Sequence, residues 1–577
     1  MVLSSRKITI TKNSPQPKTI FGCIILCALC FSLYFMNGAY AQVPNIPGSA
    51  DVSRIVPQAD KNLAPEPVKR PVTPEAAPQT PLPPEAAEIT MKLEGVDLQG
   101  VTAFTQDEIF KIYRPLIGKT IKLSEVWGIA EKITDYYREK GYFLSRAYIP
   151  QQEIADGVIK INVVEGYIGK VVLDDPIAEK RLVKDLLAEI TAQHPITAEK
   201  LEEIVLRLND LPGHNFRSIL KPLENAPEGA TQLVLLPSKD PGRGALTAGN
   251  SGSRFLGPWV DSLTYQTSLI DMQQTTLSFA ASSQIDELRY GTISQDIPLT
   301  PRLSLGLTGN FVVANPGYDL RKNDIQSYST ELGVKLSYRN IRQWQRNMTL
   351  GLAVDGRNTN SDIFDTPLTR DRVRALRGSV DYDFVDSHNA YNAMNVTISH
   401  GLSMLSSSEE GDPFLSRGQA VPDFTKIEGS YKHQRYLSEH ILATGQVSGQ
   451  LASQPLFSSE EFGYGGQAFG RAYDNSEISG DEGVAGSLEL GYANWLRWTK
   501  VDITPFIFYD IGKVWNFDRN SEPVSGSSAG GGMHMIYNSR ISLDLTAAQP
   551  LTKPQETPLG YGSPKSTRYL LQMNANF

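Results

Sequence analysis

Met348-Thr349-Leu350-Gly351-Leu352-Ala353-Val354-Asp355 decides what kind of protein this is. Successive side chains of an extended chain point to opposite faces, so Met348, Leu350, Leu352 and Val354 share one face. Thr349, Gly351, Ala353 and Asp355 share the other. The pattern recurs at Leu303, Leu305 and Leu307, and at Leu488, Leu490 and Tyr492 against Glu489 and Gly491. It returns at Ile541, Leu543 and Leu545 against Ser542 and Asp544. A soluble sandwich alternates in this way too, with its apolar faces meeting in a core. A membrane barrel turns the apolar face to lipid and the polar face to a wet lumen. The stretch 241–577 accommodates about 16 antiparallel strands at ~10 residues each plus connections. At its end, Tyr569, Leu571, Met573, Ala575 and Phe577 share a face against Arg568, Gln572, Asn574 and Asn576, with Leu570 the exception.

Length and charge narrow the field. The chain has 577 residues and a formal net charge of −8. That length exceeds one compact core, and the acidic balance argues against a nucleic-acid partner, which needs a basic face. No apolar run in the body approaches the ~20 residues of a spanning helix. Arg6, Lys7, Lys12 and Lys18 precede an apolar run from Ile20 to Met36, and Ala39-Tyr40-Ala41 offers a small-x-small cleavage site. Residues 1–41 therefore read as a signal peptide, with an uncleaved anchor as the alternative. All three cysteines, Cys23, Cys27 and Cys30, lie inside that run, so the exported chain is expected to hold no disulfide and no zinc-thiolate site. The seven histidines show no metal-ligand spacing, and no G-x-S-x-G or phosphate-cradling loop occurs. An enzyme, a metal and a cofactor are not expected.

Residues 42–87 form a leader. Eleven prolines between Val43 and Ala86 prevent sheet pairing and favour an extended spacer. A short helix over Gly48 to Lys61, interrupted by Pro57, is a candidate plug. Residues 88–166 then read strand–helix–helix–strand–strand: Ile89 to Leu93, a helix opened by the capping box Thr105-Gln106-Asp107-Glu108, and a second helix with Val126, Ile129, Ile133 and Tyr137 on one face. Strands Tyr142 to Ile149 and Val158 to Val164 complete the unit. Residues 167–240 repeat that order, with helices anchored by Leu182, Leu186 and Ile190 and by Leu201, Ile204, Leu208 and Leu211.

Tyr137, Gly141-Tyr142, Tyr148-Ile149-Pro150-Gln151, Gly157 and Glu165-Gly166 resemble the first POTRA domain of the two-partner secretion transporters, the haemolysin-activator and filamentous-haemagglutinin transporter family. Leu208-Asn209-Asp210-Leu211-Pro212-Gly213 is similar to the signature of their second POTRA domain. Asn250-Ser251-Gly252-Ser253-Arg254 resembles the family's entry into its first barrel strand. The glycine-rich stretch Glu461 to Asp474 is too broken for a strand and resembles the superfamily's folded-in loop. Its tip would be Phe469, Gly470, Arg471, Ala472 and Tyr473, although the chain reads Gly-Arg-Ala-Tyr where the family has V-R-G-F/Y. Phe508, Asp510 and Gly512 resemble the F-x-D-x-G wall that receives the tip. An arginine carried into a barrel needs a partner, and Asp510 could accept a bidentate bond from Arg471. Tyr569, Leu571, Met573 and the terminal Phe577 resemble the signal read by the barrel-assembly machinery.

The resemblance implies an outer-membrane transmembrane β-barrel of 16 strands preceded by two periplasmic POTRA modules. Such a protein captures an unfolded, exported partner, a large exoprotein of adhesin or haemolysin type, and passes it to the cell surface. Capture by strand addition needs an open sheet edge. Phe143 to Ile149 is the candidate, with Phe143, Arg146, Tyr148 and Ile149 facing the cargo, unless it is an internal strand. Competing readings are an outer-membrane protein insertase of the same superfamily, a passive porin or uptake receptor, and an adhesin with a soluble β-rich domain.

Overall fold

The computed structural model describes residues 46–55, 89–154, 156–498, 500–517, 522–552 and 566–577. The expected signal segment and most of the proline-rich leader lie outside the described residues.

In the first module, Val158–Val164 is the central strand, flanked by Gly95–Gln99 in parallel and Arg146–Tyr148 in antiparallel. Helices Gln106–Tyr113 and Leu123–Glu139 bury Ile109, Val126, Ile129, Ile133 and Tyr137 against Ile159 and Ile161. Thr105 and Glu108 close the capping box, the Thr105 amide donating to the Glu108 carboxylate at 2.9 Å. The first strand differs from expectation. The segment from Ile89 contributes Thr90–Lys92, which pairs with Thr120–Lys122 in a separate two-stranded ladder. The main sheet takes Gly95–Gln99 instead, because Val158–Val164 offers that segment a full parallel neighbour. In the second module, Ala230–Lys239 lies between Tyr167–Val172 and His214–Pro222, with helices Arg181–Thr191 and Ala198–Asn209 packed on the sheet.

The remainder is a closed antiparallel barrel of 16 strands. It begins at Arg243–Gly249 and closes where Arg568–Asn576 pairs back onto that strand, from Gln572 opposite Gly249 to Asn576 opposite Ala245. One strand is interrupted: Glu482–Tyr492 resumes as Leu496–Trp498, and both segments pair with Val501–Trp515. The outward face is apolar and bare, with Leu332 74% and Ile507 63% exposed. Water would penalise such a belt, whereas lipid accepts it. The inward face buries Thr264, Ser399 and Asp510. Connections near the modules are short, such as Asp271-Met272 and Asn538 to Arg540, while long loops such as 402–424 and 453–481 lie at the opposite end.

The second module docks on the short connections. Arg342 donates to both carboxylate oxygens of Asp210 at 2.8 Å. Lys180 meets Asp271 at 2.6 Å, and Arg302 meets Glu203 at 3.4 Å. Glu203 of helix Ala198–Asn209 and Asp210 at its end thus meet barrel arginines, while Lys180 meets a barrel carboxylate. The leader residues 46–55 form two single 3-10 turns, Gly48–Ala50 and Val52–Arg54, in place of the first part of the helix expected over Gly48 to Lys61, whose remainder lies outside the described residues. Between the turns, the Asp51 carboxylate accepts the Ser53 amide at 2.8 Å, which starts the second turn afresh. Ala50 and Val52 pack against lumen-facing Val312, Ala314 and Ile325.

Candidate functional site

The loop between strands Ile441–Ala452 and Glu482–Tyr492 folds into the lumen. It is more ordered than its composition suggests, because Phe462–Tyr464 pairs with Ile478–Gly480 as a small hairpin. Tyr464 is fully buried at its centre. A Cβ added at Gly470, Gly512 or Gly526 would lie 2.7, 2.2 or 2.5 Å from the Tyr464 ring, so three glycines make the slot that holds it. Gly470 also has φ of +79°, a left-handed conformation that side chains disfavour. The glycine before the tip arginine is therefore structural.

Arg471 and Asp510 come together, but not as the bidentate pair expected. The Asp510 carboxylate accepts the backbone amides of Gly470 at 3.2 Å and Arg471 at 3.0 Å. It also accepts the hydroxyls of Ser487 at 2.7 Å and Ser528 at 3.3 Å. With its lone pairs so occupied, it stands 3.6 Å from the Arg471 Nε without a hydrogen bond from it. The guanidinium reaches one step along the neighbouring strand, donating to Glu489 at 2.7 Å and to the Ser487 hydroxyl at 3.1 Å. It lies over the Phe508 ring, 3.9 Å from the centroid. Asp510 holds the tip's backbone, and Glu489 with Phe508 holds its charge.

The other tip residues are placed around this pair. Phe469 and Ala472 pack in the same apolar cluster as Tyr464, Phe506 and Phe508. The Tyr473 hydroxyl donates to the Ser527 carbonyl at 3.0 Å. Asp474 follows, nearly buried, and takes Arg254 at 2.6 Å and Arg568 at 3.1 Å. Arg254 corrects another expectation. Asn250 to Arg254 does not lead into the first barrel strand but follows Arg243–Gly249, where the turn delivers Arg254 to the lumen loop.

At the loop's base two adjacent glutamates join four parts of the molecule. Glu460 meets Arg377 at 2.8 Å and Lys426 at 3.0 Å, both on the barrel wall. Glu461 pairs with Arg54 of the leader and with Arg417 of the outer loop at 3.2 Å. Arg417 also pairs with fully buried Asp481, which accepts the Leu456 amide at 2.7 Å. Sequence reasoning missed Glu460 and the pairings of Glu461, Asp474 and Glu489, since each partner lies on another strand or loop.

In the first module, Arg146–Tyr148 is an edge strand, paired among the described residues with Val158–Val164 alone. The expected edge is longer than this, and two of its residues lie off the strand. Phe143 sits in the turn after helix Leu123–Glu139 and packs on the second module's core, while Ile149 packs on the first module's core. Tyr148 and Arg146 both reach Glu228, at 3.3 and 3.7 Å. At the chain end, Tyr569 is 73% and Phe577 65% exposed on the outer face, and Leu571 and Met573 are half-buried beside them. Phe577 and Gly244 exchange backbone hydrogen bonds of 2.9 and 2.8 Å.

The family profile described as haemolysin secretion/activation protein ShlB/FhaC/HecB matches residues 237–533, and that of a ShlB-type POTRA domain matches residues 91–166. Heme/hemopexin transporter protein HuxB of Haemophilus influenzae is 23% identical over 473 residues, 77% of this chain and 80% of its own. Outer membrane transporter CdiB of Dickeya dadantii is 22% identical over 464 residues, 75% of this chain and 78% of its own. Among solved structures, CdiB from Escherichia coli has a TM-score of 0.69 at 18% identity, covering 87% of this chain and 94% of that one. CdiB from Acinetobacter baumannii has a TM-score of 0.57 at 14% identity, covering 99% and 100%. At such identities the structural likeness is one of fold.

Proposed function

We propose, for a chain that belongs to the haemolysin secretion/activation protein family, that the lumen hairpin 453–481 is the part of the export path that must move. The protein is an outer-membrane two-partner secretion transporter, with its modules in the periplasm, and it exports a partner protein. The hairpin is held by hydrogen bonds and ion pairs to the wall, and such contacts exchange with water when the lumen opens. Asp510 gripping the tip's two amides is the observation that carries this reading. In that reading Phe469 to Tyr473 are the moving tip, and Phe508, Asp510 and Gly512 are its seat.

The partner is a large exoprotein of adhesin or haemolysin type, taken up unfolded. The edge Arg146–Tyr148 receives it by adding a strand, since main-chain bonds bind an extended segment with little demand on sequence. Residues 1–41 direct export and are removed. The strand Arg568–Asn576 presents Tyr569, Leu571, Met573 and Phe577 to the barrel-assembly machinery, and the outward apolar belt contacts lipid.

The test is secretion. With a candidate partner co-expressed, wild-type protein delivers it to the medium. Arg471→Ala is expected to assemble as a heat-modifiable barrel yet deliver none. Full delivery by that variant would overturn the gating role of the hairpin.

A further inference from the structure

Strand Thr366–Val385 carries a second charged feature, on the outside of the barrel. Its outward face reads Val380, Gly378, Leu376, then Arg374, Arg372 and Arg370. Val380 and Leu376 are exposed in the apolar belt. On the paired strand Arg346–Ile363 the same boundary runs from Leu352 and Val354 to Asn358 and Asn360, which lie opposite Arg372 and Arg370. The aromatic pair Tyr382 and Phe384 marks the belt's periplasmic margin. From Phe384 to Leu376 is about the nine or ten residues that a tilted strand needs to cross the hydrocarbon. The three arginines therefore begin where the acyl chains end, on the side facing away from the modules.

Their charges are poorly matched by protein. Arg370 pairs with Asp362. Arg374 donates to backbone carbonyls and to the Asn358 amide oxygen at 2.9 Å, none of them charged. Arg372 is exposed, and among the described residues its side chain makes no hydrogen bond or ion pair. Glu409 and Glu410 follow Ser408, whose hydroxyl accepts the Arg372 amide at 3.0 Å, yet among the described residues no ion pair joins them to the row. Guanidinium groups ~7 Å apart along one strand face, with one carboxylate among three, leave an excess of positive charge at headgroup depth.

We propose that Arg370, Arg372 and Arg374 form a binding site for the phosphate groups of the outer-leaflet glycolipid, outside the export path. Guanidinium forks match phosphate oxygens in geometry and charge. The acyl chains of the same lipid would lie along Leu376, Val380, Leu352 and Val354. Continuity of charged row and apolar belt favours a lipid over an exported chain, which passes on the other face of these strands.

The full-length protein in mild detergent can be titrated, with native mass spectrometry as the readout, against three probes: bisphosphorylated lipid A, fully dephosphorylated lipid A, and inorganic phosphate. Wild type is expected to retain the bisphosphorylated lipid and discriminate against the dephosphorylated form. Inorganic phosphate at millimolar concentration is expected to leave the lipid bound. Arg372→Gln should weaken retention about five-fold, the usual contribution of one basic residue beside an anionic lipid surface. Equal binding of both lipids by wild type, which requires no variant, would overturn the assignment. So would unchanged retention by a heat-modifiable Arg372→Gln barrel, or displacement of the lipid by inorganic phosphate. Loss of partner export by that variant with lipid retention intact would assign the row to cargo instead.

Discussion

Glu489→Gln is the most informative single change, because the geometry gives the tip arginine a different anchor from the obvious one. Arg471 donates to Glu489 at 2.7 Å and is separated from Asp510 Nε-to-oxygen by 3.6 Å. Both members of the Arg471–Glu489 pair are largely shielded from solvent, 11% and 22% exposed. A hydrogen bond between charged groups at such a site contributes about 2 kcal/mol, or about 30-fold in the ratio of docked to released tip. The amides of Gly470 and Arg471 report docking directly, since both donate to Asp510. Hydrogen exchange at these amides should accelerate about 30-fold in Glu489→Gln. A double-mutant cycle should return a coupling of about 2 kcal/mol between Arg471 and Glu489. For the Arg471 and Asp510 side chains it should return clearly less, and a charge swap of those two residues should not restore docking. A coupling near zero at Glu489 with a large one at Asp510 would refute this assignment of the anchors.

Gly512→Ala places a methyl in the Tyr464 slot, 2.2 Å from the ring, and should destabilise the docked hairpin by about 1–3 kcal/mol, seen as a lower melting temperature. Asp210→Asn removes the bidentate partner of Arg342 and should increase the spread of distances between the second module and the 343–345 turn, measured by spin-label spectroscopy. Burial pushes the Glu165 carboxyl up, but hydrogen bonds from Thr102, Tyr137 and the Ala103 amide outweigh it and hold the group below its ordinary value. A group depressed on folding stabilises fully above its unfolded value near 4.5 and loses that contribution as pH falls through the lower folded value. Hydrogen-exchange protection of helix Leu123–Glu139 should therefore fall on acidification in the wild type, and less steeply in Glu165→Gln. Arg54→Ala removes the leader's contact with Glu461 and should raise the conductance of the barrel in planar bilayers.

The barrel was legible because its signal is local. Leu350, Leu352 and Val354 alternate with smaller or polar neighbours whatever lies beside them, and lipid outside and water inside demand that alternation. The two helices of each module were legible for the same reason, through the spacing of Val126, Ile129 and Ile133 and through the Thr105 capping box. What escaped depends on register. That Ser487 lies opposite Asp510, and Glu489 opposite Phe508, follows from strand pairing across a distance in sequence, and so fixes which carboxylate the arginine reaches. Glu460 and Arg377 are 83 positions apart, and nothing in either neighbourhood announces the pair. Thr90–Lys92 was misplaced because alternation shows that a segment is extended but not which strand it will join.

The central claim is that an exported chain passes through this lumen, and two adjacent residues of one strand can test it. Ser487 faces inward beside the docked tip and is 7% exposed, whereas Leu488 faces outward and is 53% exposed. A photo-reactive side chain at each position, in cells secreting a partner arrested in transit, should crosslink to the partner from 487 and to lipid or nothing from 488. Crosslinks to the partner from 488 with none from 487 would place the path outside the barrel and contradict the account.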